Sequence, residues 1–272
     1  MNDDRLARRQ SVPASASLAV HAMLMQHMDH IILNGGIMEQ DLQHQFGASA
    51  RPTTDSLVAT RHRVLRNTYW LLALSMIPTV AGAWLGVQFK FSLFSGSPFI
   101  GFIVFMAIAF GFFYAIERTK TSGLGVVVLL GFTFFMGLML SRLISHTLGY
   151  ANGASLIMTA FGGTATIMGV MATVATVSKR DFSGLGKWLF AGVLVILVAS
   201  VANIFLHLPA LYLAISVIAI GIFSAYILFD VQQVINGGET NYISATLNIY
   251  LDVYNIFANL LSLLGIFGGS RD

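Results

Sequence analysis

From Asn67 onward the chain alternates long apolar runs with short polar breaks. A membrane-spanning helix needs roughly 20 predominantly apolar residues. Seven runs reach that length: Thr68–Phe89, Pro98–Ile116, Gly123–Ile144, Ser155–Val177, Trp188–Leu206, Pro209–Phe229 and Ile243–Phe267. The breaks hold the turn formers and charges, as in Ser95-Gly96-Ser97-Pro98, Glu117–Ser122, Ser145–Gly153, Ser178–Lys187, His207–Pro209 and Asp230–Tyr242. The pattern predicts an all-α integral membrane protein with seven transmembrane helices in residues 67–272.

Residues 1–66 follow a different rule. They carry six of the twelve acidic residues and five of the seven histidines, and no apolar run of membrane length. A secretory leader needs a continuous apolar segment, and none is present. We read this region as a largely flexible cytoplasmic tail. Its Met- and His-rich stretch 18–38 could hold a metal, and Met38 is an alternative start of translation.

Composition agrees with a lipid environment. Of the 272 residues, 56% are hydrophobic and 10% are charged, against roughly 25% charged in soluble domains. The net charge of +3 is spread along the chain, which argues against nucleic-acid binding. With no cysteine, disulfides and thiol chemistry are excluded. Lys and Arg set the orientation. With the N-terminus in the cytoplasm, that side carries Arg51, Arg61, Arg63, Arg66, Arg118, Lys120, Lys179, Arg180 and Lys187, and the other side Lys90, Arg142 and Arg271.

The seventh span carries the most specific signal. Asn248, Asp252, Asn255, Asn259 and Ser262 follow steps of four, three, four and three, so they share one helix face. Amides and a carboxylate facing acyl chains would be costly. The last helix is therefore expected at the centre of the bundle. Asp252 falls near the bilayer midplane, and Asp230 falls at the end of span six, followed by Gln232 and Gln233. Were the two carboxyls to meet, they would share a proton and titrate as a unit. Such a pair could sense pH or take a hard cation such as Ca²⁺. The alternative is a solvated Asp230 at a helix end and a hydrogen-bonded, structural Asp252. In span four, Ala165, Gly169 and Thr173 recur every four residues. Small residues so spaced let backbones approach closely in lipid, and internal packing is the expected use, ahead of oligomerisation.

Enzyme signatures are missing: the sequence has no G-x-S-x-G, no H-E-x-x-H and no P-loop. Phe229-Asp230 and Tyr250-Leu251-Asp252 lack the Gly-x-Gly-Asp word of intramembrane aspartyl proteases. Paired broken helices, which mark transporter sites, are not evident either. We expect a non-enzyme with no resident cofactor.

Several words together resemble a known family. They are His62-Arg63-Val64-Leu65-Arg66-Asn67-Thr68-Tyr69, Val201–Leu206 with Leu208-Pro209-Ala210-Leu211, and Gly237-Gly238-Glu239-Thr240-Asn241-Tyr242-Ile243. Tyr254-Asn255-Ile256-Phe257, the Ser270-Arg271-Asp272 terminus, and Ala160, Thr164 and Ala165 complete the set. Residues 62–272 resemble the bacterial YccA-type branch of the Bax inhibitor-1 superfamily. The resemblance implies seven helices with the last surrounded by the others, in a bacterial inner membrane. It implies an FtsH-type membrane protease as partner, modulated by a slowly degraded binding protein whose cytoplasmic tail is the handle. It also implies a second possibility, a pH-sensitive Ca²⁺ leak gated by Asp230 and Asp252. The superfamily's basic latch falls at Glu117, with Arg118 adjacent.

Overall fold

A computed structural model describes residues 54–91 and 98–269. The Met/His-rich stretch, Met38 and the Ser270-Arg271-Asp272 terminus lie outside the described residues. Seven helices make up the described chain: α1 (Thr54–Gln88), α2 (Pro98–Thr119), α3 (Gly123–Leu148), α4 (Gly153–Val177), α5 (Leu185–Leu206), α6 (Pro209–Asn236) and α7 (Tyr242–Gly268). All seven are long and apolar enough to cross a membrane. Trp70, Ile77, Trp84, Phe110, Phe161, Val195, Val198 and Ile218 are exposed on the bundle surface. A large apolar surface of this kind requires lipid rather than water around it.

Most helices run a few residues past their expected ends, and two run much further. α1 starts at Thr54 instead of Thr68, so part of the expected tail is helical. α6 continues seven residues beyond Phe229, to Asn236. The polar word Asp230-Val231-Gln232-Gln233 suggested a helix end. Instead Val231 and Val234 are buried apolar positions, and they carry the helix on through it.

The last helix is central. Thr246 Oγ1 of α7 donates to the Thr68 carbonyl of α1 at 3.3 Å, and α2, α3, α4 and α6 also pack on α7, while α5 packs on α6. The core is built from Leu71, Leu72, Ile116, Leu129, Phe132, Ile227, Val231, Ile243, Ile249 and Ile256. Phe132 of α3 joins three helices. Its ring lies 5.6 Å from Phe112 and 5.4 Å from Phe113 of α2, and 6.3 Å from Tyr250 of α7.

Helices α1 and α3 meet backbone to backbone. A Cβ on Gly82 would collide with the Phe134 carbonyl oxygen, and one on Gly137 with that of Thr79. Gly86 sits on the Ser141 side chain. Gly82 and Gly86 form the small-x-x-x-small spacing that permits such an approach in a membrane. Beside this contact the Tyr250 hydroxyl lies 2.9 Å from Thr79 Oγ1 and 3.4 Å from the Thr133 carbonyl. With no water in the bilayer core, these buried hydroxyls are satisfied internally.

Candidate functional site

The site sits between the ends of α6 and the start of α7, and the turn joining them is closely determined. Gly237 ends α6 with φ of 80°, and its N–H bonds to Gln233 and Val234 carbonyls. Only glycine adopts that conformation without strain. Gly238 and Glu239 N–H groups return to the Gln233 carbonyl at 2.8 and 3.1 Å. Glu239 Oε1 accepts from the Asn241 N–H at 2.7 Å. The Asn241 side chain caps α7 by accepting from the Ile243 and Ser244 N–H groups. Its Nδ2 donates to the Lys120 carbonyl at 2.7 Å, which ties the turn to the α2–α3 connection. The Gly-Gly-Glu-Thr-Asn word is thus a helix stop, a turn and a helix cap in sequence.

This turn places α6 and α7 side by side and brings the two aspartates together. The Asp230 and Asp252 carboxyl groups lie close enough across the α6–α7 contact to act on each other electrostatically, and two buried carboxyls so placed do not both ionise cheaply. Asp230 is 9% exposed and Asp252 4%, so Asp230 is not a solvated helix end. Asp252 lies ten residues into α7, about 15 Å along the axis at 1.5 Å per residue. No protein N–H or hydroxyl reaches its buried Oδ2. A cavity of about 220 Å³ opens onto Asp230, lined by Phe229, Gln233, Gly238, Glu239, Ala245 and Asn248. Among the described residues no group of three His, Asp or Glu side chains is placed to hold a metal ion. Two neighbouring carboxyls beside a polar cavity are acids that can take up or release a proton.

The rest of the stripe divides by depth. Asn248 is exposed and lines the cavity mouth, a wetter place than a buried stripe implied. Asn255 and Asn259 are half-buried, and each Nδ2 donates to the carbonyl four residues back in α7, both at 2.8 Å. Ser262 is buried and accepts from the Tyr212 hydroxyl of α6 at 2.9 Å.

Neither latch candidate makes contact with the pair. Arg118 Nε donates to the Tyr114 hydroxyl at 3.1 Å, with the guanidinium 5.3 Å from that ring's centre. Glu117 pairs with Lys120. The Lys120 ammonium is held above its ordinary pKa chiefly by that hydrogen bond, with Glu239 adding to it. The charged neighbour that Asp230 does have on this side is Glu239.

The small-residue spacing in α4 faces the other way from the one expected. Ala165, Gly169 and Thr173 are exposed, along with Ser155, Thr159, Gly162, Thr166 and Thr176. A side chain on Gly162 or Gly169 would meet nothing within 4 Å. The backbone approach inside the bundle belongs to Gly82 and Gly137 instead.

Gln232 is a site residue whose role the spacing did not reveal. Its Nε2 donates to the Arg180 carbonyl at 2.7 Å and its Oε1 accepts from the Phe182 N–H at 2.6 Å. One buried amide therefore closes the α4–α5 connection against α6, two residues from Asp230. Gln232→Ala is expected to destabilise the protein by about 1–3 kcal/mol, the cost of orphaned buried polar groups. Limited trypsin digestion at Lys179, Arg180 and Lys187 should quicken, and unchanged cleavage would show that the clamp does not hold this loop.

Comparison with known proteins places this bundle. Residues 61–269 match the family model described as inhibitor of apoptosis-promoting Bax1. The chain is 40% identical over 217 residues to the modulator of FtsH protease YccA of Escherichia coli K12, covering 80% of this chain and 94% of that one. An uncharacterized membrane protein of Vibrio cholerae is 34% identical over 215 residues, with 78% and 94% covered. A protein of Neisseria meningitidis is 38% identical over 207 residues, with 75% and 91% covered. A seven-helix bundle with a polar last helix at its centre, matched from Arg61 to Gly269, belongs to the Bax inhibitor-1 family.

Proposed function

We propose that this protein is an inner-membrane modulator of an FtsH-type protease, seated with its N-terminus in the cytoplasm. The observation that carries this reading is the 40% identity, over 80% of this chain and 94% of the other, to a protein named as a modulator of that protease. Residues 1–53 precede α1 and supply a segment long enough for an ATP-driven protease to grip. The bundle behind them resists extraction, so the protein occupies the enzyme while being degraded slowly. The excess of Lys and Arg at the α1 N-terminal end, the α2–α3 connection and the α4–α5 connection supports the orientation.

The test is turnover. Full-length protein and a variant lacking residues 1–53, which leaves α1 intact, are reconstituted with the protease and ATP. The variant should be degraded several-fold more slowly while keeping its thermal midpoint. Equal turnover of the two removes the tail as handle. Failure of the full-length protein both to bind the protease and to slow its degradation of another membrane substrate removes the modulator reading.

The juxtaposed, buried Asp230 and Asp252 favour a second reading, a pH-sensitive cation leak through the bundle. Two adjacent carboxyls below a polar cavity offer oxygen ligands to a cation such as Ca²⁺ when deprotonated and lose that capacity when protonated. The two readings draw on different parts of the molecule and coexist without conflict.

A further inference from the structure

The membrane-entry end of α1 carries a second concavity, of about 650 Å³, lined by His62, Arg63, Leu65, Arg66 and Tyr69. Its lining separates into a floor and a rim. Leu65 and Tyr69 pack against the hydrophobic core. His62, Arg63 and Arg66 are exposed.

The three arginines here have different surroundings. Arg61 lies against the α6–α7 turn, its Nε 2.9 Å from where a Cβ on Gly237 would stand. It covers the C-terminal end of α6, where a cation complements the helix dipole. At 100° per residue, Arg63 and Arg66 point roughly the opposite way from Arg61 and lie within about 60° of each other. The single ion pair among the described residues is Lys120–Glu117, so neither guanidinium has a carboxylate partner there. Two like charges one turn apart repel unless an anion lies between them.

The position along the helix selects the anion. Arg66 immediately precedes the apolar run that begins at Asn67. Tyr69 is one turn deeper, about 4.5 Å along the axis, and Trp70 beside it is 73% exposed on the bundle surface. Aromatic residues with a polar tip settle at the headgroup level of a bilayer, and guanidinium groups bind phosphate oxygens in pairs. We propose that His62, Arg63, Arg66 and Tyr69 form a binding site for the phosphodiester headgroup of an anionic phospholipid in the adjacent leaflet. The acyl chains would run down the exposed face of α1 along Trp70 and Ile77, both of which are exposed.

Full-length protein in neutral detergent is titrated with phosphatidylglycerol, and bound lipid is counted by native mass spectrometry. Parallel arms use phosphatidylcholine with the same chains, inorganic phosphate, a soluble acidic peptide, and high salt. Phosphatidylglycerol should bind in a salt-sensitive way, and phosphatidylcholine and inorganic phosphate should not. R63Q/R66Q should weaken binding at least about tenfold, since each basic residue near an anionic surface adds to the attraction. R63K/R66K should fall between the two, and R118Q/K187Q, equal in charge loss, should bind as the parent does. Wild-type affinity in R63Q/R66Q, or an equal loss in R118Q/K187Q, overturns the site. Equal binding of phosphatidylcholine overturns charge recognition. Saturation by inorganic phosphate assigns the site to a free anion, and displacement by the peptide below lipid concentrations assigns it to a protein partner; either overturns the lipid. The lipid, phosphate and salt arms on unaltered protein decide the question even if a variant fails to fold.

Discussion

Gly137→Leu is expected to abolish the native bundle. The Cβ of any residue at this position would fall on the Thr79 carbonyl oxygen and 3.0 Å from the Ala83 nitrogen. These are backbone atoms of α1, and no rotamer change moves them aside. The helices would have to separate, and Tyr250 would lose its hydroxyl partner Thr79 along with the packing. Overpacking a well-filled core costs about 1–3 kcal/mol when side chains can yield. A backbone collision between two helices, with a buried hydroxyl orphaned as well, exceeds that range. The monodisperse fraction in size-exclusion chromatography should collapse, together with the thermal midpoint. Gly169→Leu on α4 is the control, because nothing stands within 4 Å of its Cβ. A Gly137→Leu protein with the parent midpoint would mean that α1 and α3 do not meet at this point.

Asp252→Asn is expected to remove any pH-dependent Ca²⁺ flux in proteoliposomes and leave the bundle folded. The amide is nearly the same size and can hydrogen-bond to Asp230, so the α6–α7 contact persists. A second titratable carboxyl beside Asp230 does not. Flux should fall to the level of protein-free liposomes across the pH range in which the parent responds. Unchanged pH dependence in the variant would take the pair out of any leak pathway. A parent protein that passes no Ca²⁺ at any pH would reduce the pair to a structural contact between α6 and α7.

What could be read from the chain follows from what the bilayer enforces. Seven apolar runs of membrane length correspond to seven helices, because lipid permits little else. The polar side of α7 announced its own central position, because amides and a carboxylate at steps of three and four cannot face acyl chains. The end of α6 is not legible in the same way, since Asp230, Gln232 and Gln233 look like a helix terminus. Each of the three has its own use within a continuing helix: a partner acid, a loop clamp and a cavity wall. The glycines were harder still. Gly82-x-x-x-Gly86 and Ala165-x-x-x-Gly169 have the same spacing, but one faces a neighbouring backbone and the other faces outward. In a soluble protein polarity would separate inside from outside. In a membrane small residues suit both, so spacing alone does not decide. The role of Glu239 beside Asp230 depends on a turn whose shape appears only once Gly237 adopts its left-handed conformation.

The glycine seam between α1 and α3 has a mechanical consequence. Tension applied from the N-terminal side reaches α1 before any other helix. α1 is held by matched backbones that must slide or part together, and by a tyrosine–threonine bond beside them. The first rupture is therefore the parting of this seam, and the helices behind it give way afterwards. In a single-molecule pulling experiment, this predicts a distinct early force peak. Thr79→Val, which removes the bond to Tyr250 and leaves both glycines in place, should lower that peak before it alters any later one.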